Sequence, residues 1–188
     1  MGAAVMMKRI AATSPRFTAK IAGGIYLLAV LTAALTEIFV RGGLNVAGSL
    51  IAVLSIIAVT LLFYDIFSPV SRSLCSLAVS FNLLGLVLEA LRLQPRGVNI
   101  AVVFDGFYCI LIGYLVFSST FPLRILGALM ALGGLSWLTF LSSPLASYLS
   151  PYNLAFGLLG EGSVCLWLLL TGVNARRWNG RGSPAGDW

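Results

Sequence analysis

Histidine is absent from this chain of 188 residues, and charged residues make up only 10% of it. The absence of imidazole excludes histidine-based metal, haem and acid–base sites. An ordinary soluble domain has roughly a quarter of its residues charged, whereas here 59% of the residues are hydrophobic. A soluble globule of this size cannot hide so much apolar surface. The composition therefore predicts an integral membrane protein.

Cysteine is also scarce. Cys75, Cys109 and Cys165 each lie within an apolar run and share no short spacing. This pattern is typical of buried structural thiols, and it does not indicate a disulfide framework or a metal site. We expect no cofactor and no metal. We also expect no nucleic-acid partner despite the net charge of +6, because the basic residues lie at the termini and between the apolar runs and form no basic groove.

Proline is missing from the interior of the apolar runs. It removes a backbone donor and ends helices, and all 7 prolines fall between or outside six runs of about 20 residues, the length that a membrane-spanning helix needs. These runs are residues 21–40, 44–67, 73–93, 98–117, 123–141 and 153–173. The predicted fold class is all-α, an integral membrane bundle of six transmembrane helices. Residues 1–19 form a basic N-terminal segment, residues 20–175 the transmembrane domain and residues 176–188 a polar tail.

The basic residues predict the orientation of this bundle. Nine of the 12 lysines and arginines lie in the N-terminal segment, the second and fourth loops and the tail. Because cytoplasmic loops carry the excess of basic residues, both termini are predicted to be cytoplasmic. We expect a multi-pass protein of the cell membrane, in a prokaryote the plasma (inner) membrane. Trp137 lies near the end of a run, where aromatic rings settle at the headgroup level.

Polar residues follow one face of the third run. Helical spacing brings to this face Cys75, Ala78, Asn82, Gly85, Glu89 and Arg92. A carboxylate, an amide and a guanidinium are each costly in hydrocarbon. This face must therefore turn away from lipid.

Four carboxylates on four different runs fall in the outer third of the predicted membrane: Glu37, Glu89, Asp105 and Glu161. A carboxylate at the bilayer centre costs on the order of 2.5–3.5 kcal/mol. We therefore expect these groups to face one another, a cation, Arg92 or water. Two simpler alternatives stay open, a local pair between Glu89 and Arg92 and surface exposure of Glu37.

The candidate ligand-binding residues are these acids and the polar residues that share their helix faces. They are Glu37, Asn82, Glu89, Arg92, Asp105, Tyr108, Asn153 and Glu161. We expect Tyr108 to donate to a carboxylate. Plain packing is the alternative for the face shared by Asn153, Gly157 and Glu161. No residue is predicted to be catalytic. Residues 127–131 resemble a packing seam of small residues, and the second and fifth runs are placed at the periphery.

Three classes of function are compatible with this pattern. The first is binding or transport of a small solute or cation in an outward-facing acidic pocket. The second is a structural or accessory subunit that contacts another membrane protein or a second copy of this chain. The third is an intramembrane enzyme that uses paired carboxylates, but no nucleophile elbow, phosphate-binding loop or metal-ligand spacing supports it. The sequence therefore favours a non-enzymatic function, with the lipid bilayer as its surroundings.

Five blocks of sequence between about residues 16 and 178 resemble those of a known protein family. They are AKIAGGIYLL, TEIFVRG, SPVSRSL, GFYCILIGYLVFSSTFPLRILGALMALGGLSWL and GEGSVCLWLLLTGV. In this order they resemble the uncharacterised multi-pass membrane proteins catalogued as domain of unknown function 4386. The resemblance implies a six-helix membrane bundle and no established activity. That family often has a histidine in the fourth span where this chain has Tyr108, so a chemistry that needs the histidine would be absent here.

Overall fold

The structure is a computed structural model that describes residues 15–39, 43–91, 98–118 and 121–170. Within these ranges the chain forms seven α-helices and no strand, so the all-α class is confirmed for them. The helices are α1 (Pro15–Phe39), α2 (Gly43–Phe67), α3 (Arg72–Ala90), α4 (Ile100–Phe117), α5 (Phe121–Leu138), α6 (Ser143–Tyr148) and α7 (Tyr152–Leu170). A 3-10 turn at Thr139–Leu141 joins α5 to α6. The predicted polar tail lies outside the described residues, as does most of the basic N-terminal segment.

The helix boundaries follow from local signals in the sequence. Ser71 precedes α3 with an extended backbone, and its side-chain oxygen accepts from the backbone N–H of Leu74 at 3.5 Å. Asn99 plays the same part for α4. Each cap satisfies one of the N–H groups that a helix start leaves unpaired. The short helix α6 was not predicted, and Pro144 stands in its first turn, where a missing N–H removes no helical bond.

Five helices, α2, α3, α4, α5 and α7, are long and apolar enough to cross a membrane. Helix α1 contributes a shorter apolar stretch, Phe17–Thr32. The outward faces of these helices carry many exposed leucines, including Leu28, Leu54, Leu132 and Leu166. Such a continuous apolar surface is unusual for a soluble monomer and is what lipid would cover. The membrane-protein class predicted from composition is thus supported by the fold.

The six long helices form a closed ring in chain order. Each packs beside the next, α1 on α2, α2 on α3, α3 on α4, α4 on α5 and α5 on α7, and α7 closes the ring against α1. The two closing helices are antiparallel, since Gly23 of α1 lies against Leu169 of α7, and Tyr26 lies against Glu161. The interior is filled by fully buried side chains such as Phe63, Leu115, Met130 and Leu168.

Helices α4 and α5 touch backbone to backbone. A Cβ atom added at Gly127 would lie 2.5 Å from the Gly113 carbonyl oxygen, and one added at Gly134 would lie 2.6 Å from the Gly106 oxygen. The small-residue seam predicted at residues 127–131 is therefore confirmed. The peripheral position predicted for this span is wrong, because the absence of side chains on its glycines lets α5 approach both α4 and α7 closely.

Helices α2 and α3 also turn polar residues inward. On α3 the buried residues are Cys75, Ala78, Asn82 and Gly85, as the predicted face requires. On α2, which was predicted to be peripheral, Thr60 and Phe63 are fully buried. The ring therefore encloses a partly polar interior, to which α2 contributes as well.

Candidate functional site

Glu161 of α7 joins three helices inside the ring. Its Oε2 atom accepts a hydrogen bond from the Tyr26 hydroxyl of α1 at 2.9 Å, and its Oε1 atom accepts one from the Trp137 indole N–H of α5 at 2.7 Å. The Tyr26 ring is held in place edge-on against Phe63 of α2, with 5.9 Å between ring centres. Both oxygens of the carboxylate therefore have a fixed direction.

Asp105 and Cys109 approach Glu161 from α4. They stand four residues apart, one helical turn, and so share a face. The Cys109 thiol lies 3.9 Å from Asp105 Oδ2 and 3.9 Å from Glu161 Oε1. One ligand atom from each of the three residues lies within 4.8 Å of the others. We call Asp105, Cys109 and Glu161 the acidic cluster; among the described residues, it is the group close enough to hold one metal ion.

Tyr108 lies beside the acidic cluster with an unsatisfied hydroxyl. Its side chain is only 3% exposed, and in the described part of the chain its oxygen has no hydrogen-bond partner. The Thr60 hydroxyl lies nearby and donates to the Ile56 carbonyl oxygen at 2.8 Å, and it makes no hydrogen bond of good geometry with Tyr108. The bond to a carboxylate predicted from the sequence does not form. A buried hydroxyl left unpaired costs about 1–3 kcal/mol, so this group is available to a ligand or to water.

Gly157 makes room for the Trp137 ring. A Cβ atom at Gly157 would lie 2.5 Å from Cε2 of that ring, whereas one at Gly162 on the same helix would meet nothing within 4 Å. The Trp137–Glu161 hydrogen bond therefore depends on the absence of a side chain at Gly157.

Gly157→Ala is expected to destabilise the protein by about 1–3 kcal/mol, because overpacking displaces the indole. Gly162→Ala is the matched control and should be neutral or slightly stabilising, since alanine favours helix. Thermal unfolding in detergent measures both changes. In a Trp137→Leu background, the cost of Gly157→Ala should largely disappear. A cost that persists there would show that the glycine serves something other than the indole.

Asn153, a predicted site residue, has a structural role. Its side-chain amide donates to the Ala146 carbonyl oxygen at 3.1 Å and, at 3.4 Å, to the Thr139 hydroxyl. These bonds attach the connection between α5 and α7 to the start of α7. Eight residues separate Asn153 from Glu161, about 12 Å along the helix. Asn153 therefore holds the end of the bundle together and does not join the acidic cluster.

The other predicted site residues are distributed as follows. Asn82 is buried on α3, on the face that the sequence indicated, and Glu89 is exposed near the end of that helix. The Glu37 side chain and all of Arg92 lie outside the described residues, so the proposed Glu89–Arg92 pair does too. Of the four outer carboxylates, the structure thus brings together Asp105 and Glu161.

Two contributors to the site, Cys109 and Trp137, were missed by the sequence reasoning, and Tyr26, which shares a helix face with Glu37, was not among the candidate ligand-binding residues. Cys109 had been assigned a purely structural role, although its spacing from Asp105 already indicated a shared face. Trp137 had been assigned to the headgroup region, but its indole N–H donates to Glu161. Tyr26 and Trp137 reach Glu161 across 135 and 24 residues of sequence. No local pattern encodes such long-range contacts.

Part of the chain matches a family model. Residues 85–172 match the model of a family described as Domain of unknown function (DUF4386), which confirms the predicted resemblance for this part of the chain. The matched range includes Asp105, Cys109, Trp137 and Glu161, and it does not reach Tyr26. No curated protein matches the chain, and no solved structure matches it.

Proposed function

We propose that this protein, whose DUF4386 region has no known function, is a six-span membrane protein that binds a small cation at the acidic cluster. The five long apolar helices and the apolar stretch of α1 support six spans. The antiparallel contact of α1 with α7 supports termini on one side of the membrane. The excess of basic residues in the terminal regions favours the cytoplasm for that side.

The observation that carries the proposal is the convergence of two carboxylates and a thiol from α4 and α7 within 4.8 Å. Two negative charges at that distance would repel each other by about 3 kcal/mol at an effective dielectric constant near 20, so a proton or a cation must compensate one of them. The described basic side chains, Lys20, Arg72 and Arg124, are exposed at helix ends and do not neutralise the pair. A bound cation removes this repulsion. The positive charge of the cation is then balanced by Asp105 and Glu161, whose positions are fixed by the packing of the helices.

The acidic cluster lies nearer the end of the bundle at which α4 begins. Asp105 lies five residues into α4, about 8 Å from its start, near the connection that precedes this helix. Asp105 and Glu161 are surrounded by protein, yet both retain some accessible surface, and open space adjoins Gly162. With the orientation proposed above, this end faces outward. We therefore propose that the cation reaches the cluster from outside the cell.

A structural role is the second candidate, and Glu161 itself favours it. Its two hydrogen bonds tie α7 to α1 and α5, which a protein without a ligand would also need. The two candidates differ in what the charge of the carboxylates does. A tie between helices needs only hydrogen-bond acceptors, whereas a cation needs negative ligands.

Thermal unfolding in detergent with chlorides of Na⁺, K⁺, Mg²⁺, Ca²⁺, Mn²⁺ and Zn²⁺ tests the binding proposal. A cation at 100 times its Kd stabilises the protein by about 2.7 kcal/mol, which raises the Tm by about 5–10 °C for a chain of this size. Asp105→Asn should abolish that rise. Asp65→Asn is the matched control, because Asp65 is exposed on α2, and it should respond as wild type does. A Tm that no cation raises, or an equal rise in Asp105→Asn, would contradict the proposal.

A further inference from the structure

The chemistry of the acidic cluster narrows the class of cation. We infer that the ion is a divalent transition metal such as Zn²⁺, bound directly by the Cys109 thiolate together with the carboxylates of Asp105 and Glu161. This inference rests on the proposed cation site and names its ligand.

The thiol is central to the cluster. Its sulfur stands at the same 3.9 Å from an oxygen of each carboxylate, so an ion between the two carboxylates also meets the sulfur. Hard cations such as Na⁺, Mg²⁺ and Ca²⁺ take oxygen ligands, whereas thiolate ligands select zinc and related metals. Cys109 is buried, with no lysine or arginine beside it among the described residues. On binding, the thiol releases its single proton to water, and a metal–sulfur bond replaces the S–H contact to one or other carboxylate.

The sulfur–oxygen distances need little adjustment for such an ion, whereas the two carboxylate oxygens, which lie within 4.8 Å of each other, must approach to about 3.4 Å. Zinc–sulfur and zinc–oxygen bonds of about 2.3 and 2.1 Å in a tetrahedral arrangement place sulfur about 3.6 Å from each oxygen. The observed sulfur–oxygen distances of 3.9 Å are only a few tenths of an ångström longer. Side-chain rotation of Asp105 alone would bring its oxygen inward, because Glu161 is held by its two donors.

Groups around the cluster provide the support that a metal site needs. Tyr26 and Trp137 donate to the two oxygens of Glu161 and thereby orient this ligand, as outer hydrogen bonds do in known metal sites. Tyr108 provides an independent indication that a ligand binds here. Its hydroxyl, buried beside the same three groups and unpaired in the described part of the chain, is available to a water or anion that completes four-coordination.

Cobalt provides a direct readout, because a thiolate bound to Co²⁺ gives a near-ultraviolet charge-transfer band. We expect this band when purified wild-type protein in detergent is titrated with Co²⁺, and we expect Zn²⁺ to displace it. Cys109→Ser should remove the band. It should also weaken Zn²⁺ binding by more than about 100-fold, because losing a residue that merely hydrogen-bonds to a ligand already costs about 10–100-fold. The matched control is Cys75→Ser, which changes a buried thiol on α3 outside the cluster and should keep the band.

A second variant avoids any change at the site. The chain has 3 cysteines, so Cys75→Ser combined with Cys165→Ser leaves Cys109 alone and should retain the full band. Circular dichroism and size-exclusion chromatography verify that each variant is folded. Stabilisation by Na⁺, Mg²⁺ or Ca²⁺ with no cobalt–thiolate band would overturn the metal class and leave the proposed cation site in place. If no cation stabilises the wild type, both proposals fail together.

Discussion

Glu161→Ala is expected to destabilise the protein by about 2–4 kcal/mol, the largest loss from any single truncation in the polar interior. The change removes the acceptor for both the Tyr26 hydroxyl and the Trp137 indole N–H and leaves these donors buried without a partner. Each such donor costs about 1–3 kcal/mol. A single polar contact in a bilayer averages only ~0.6 kcal/mol, so Tyr26→Phe, which removes one donor and leaves the acceptor, should cost far less. Denaturation in mixed micelles, followed by circular dichroism, compares the two variants.

Glu161→Gln separates the structural from the functional role of this residue. The glutamine oxygen accepts from Trp137, and its amide donates to the Tyr26 oxygen, so we expect a stability loss of no more than about 1 kcal/mol. The negative charge is gone, and the rise in Tm with the stabilising cation should vanish. Glu89→Gln makes the same chemical change at an exposed position and is the control. A cation response that survives in Glu161→Gln would leave only the helix-tying role for this side chain.

Gly127→Ala is expected to cost about 2–4 kcal/mol, because it inserts a methyl group between two backbones. The added Cβ would lie 2.5 Å from the Gly113 carbonyl oxygen and also against the Phe117 backbone N–H. Backbone atoms have no rotamer by which to move aside, so α4 and α5 must separate along their seam. Overpacking costs of about 1–3 kcal/mol are typical, occasionally more, and contact with two backbone groups of α4 places this position at or above the upper end. The gain of up to about 1 kcal/mol from helix propensity offsets part of this cost.

The control for the seam is Gly24→Ala, on α1. The nearest atom to its added Cβ would be Leu169 Cδ2 at 3.8 Å, an ordinary contact, so alanine should be neutral or stabilising. Gly113→Ala inserts its methyl group into the same contact as Gly127→Ala. Once the helices have separated for one methyl group, the second should cost less than its own single-variant value. Strictly additive costs would indicate that the two glycines do not share one contact.

Helix positions were the most predictable part of this fold. Long apolar runs punctuated by proline gave α2, α3, α4 and α7 to within a few residues, because the bilayer dictates both length and composition. The buried face of α3, with Asn82 and Gly85, followed from helical periodicity alone. On a helix whose other faces contact lipid, polar and small residues are favoured on the one face that packs against the protein interior.

The composition of the site was less predictable. Asp105 and Glu161 stood out because carboxylates are rare in apolar runs, but Glu89, chosen on the same grounds, is exposed. Depth along a helix follows from residue number, whereas rotation about the helix axis depends on which neighbours pack against it. Trp137 joins the site through such a contact, since Gly157 of α7 leaves space for its ring. Sequence periodicity names the residues of a face and leaves the partner of that face undetermined.

The order of the helices around the ring has a consequence for biosynthesis. The chain enters the bilayer from its N-terminus, so Tyr26 is inserted early and its acceptor, 135 residues later, arrives with the final helix. Until then, Asp105 and Cys109 of α4 face an open gap where α7 will sit. A nascent chain halted before α7 therefore leaves a carboxylate, an indole N–H and a phenol in the membrane interior without the partners that α7 supplies. The acidic cluster is therefore complete only once α7 has joined the bundle.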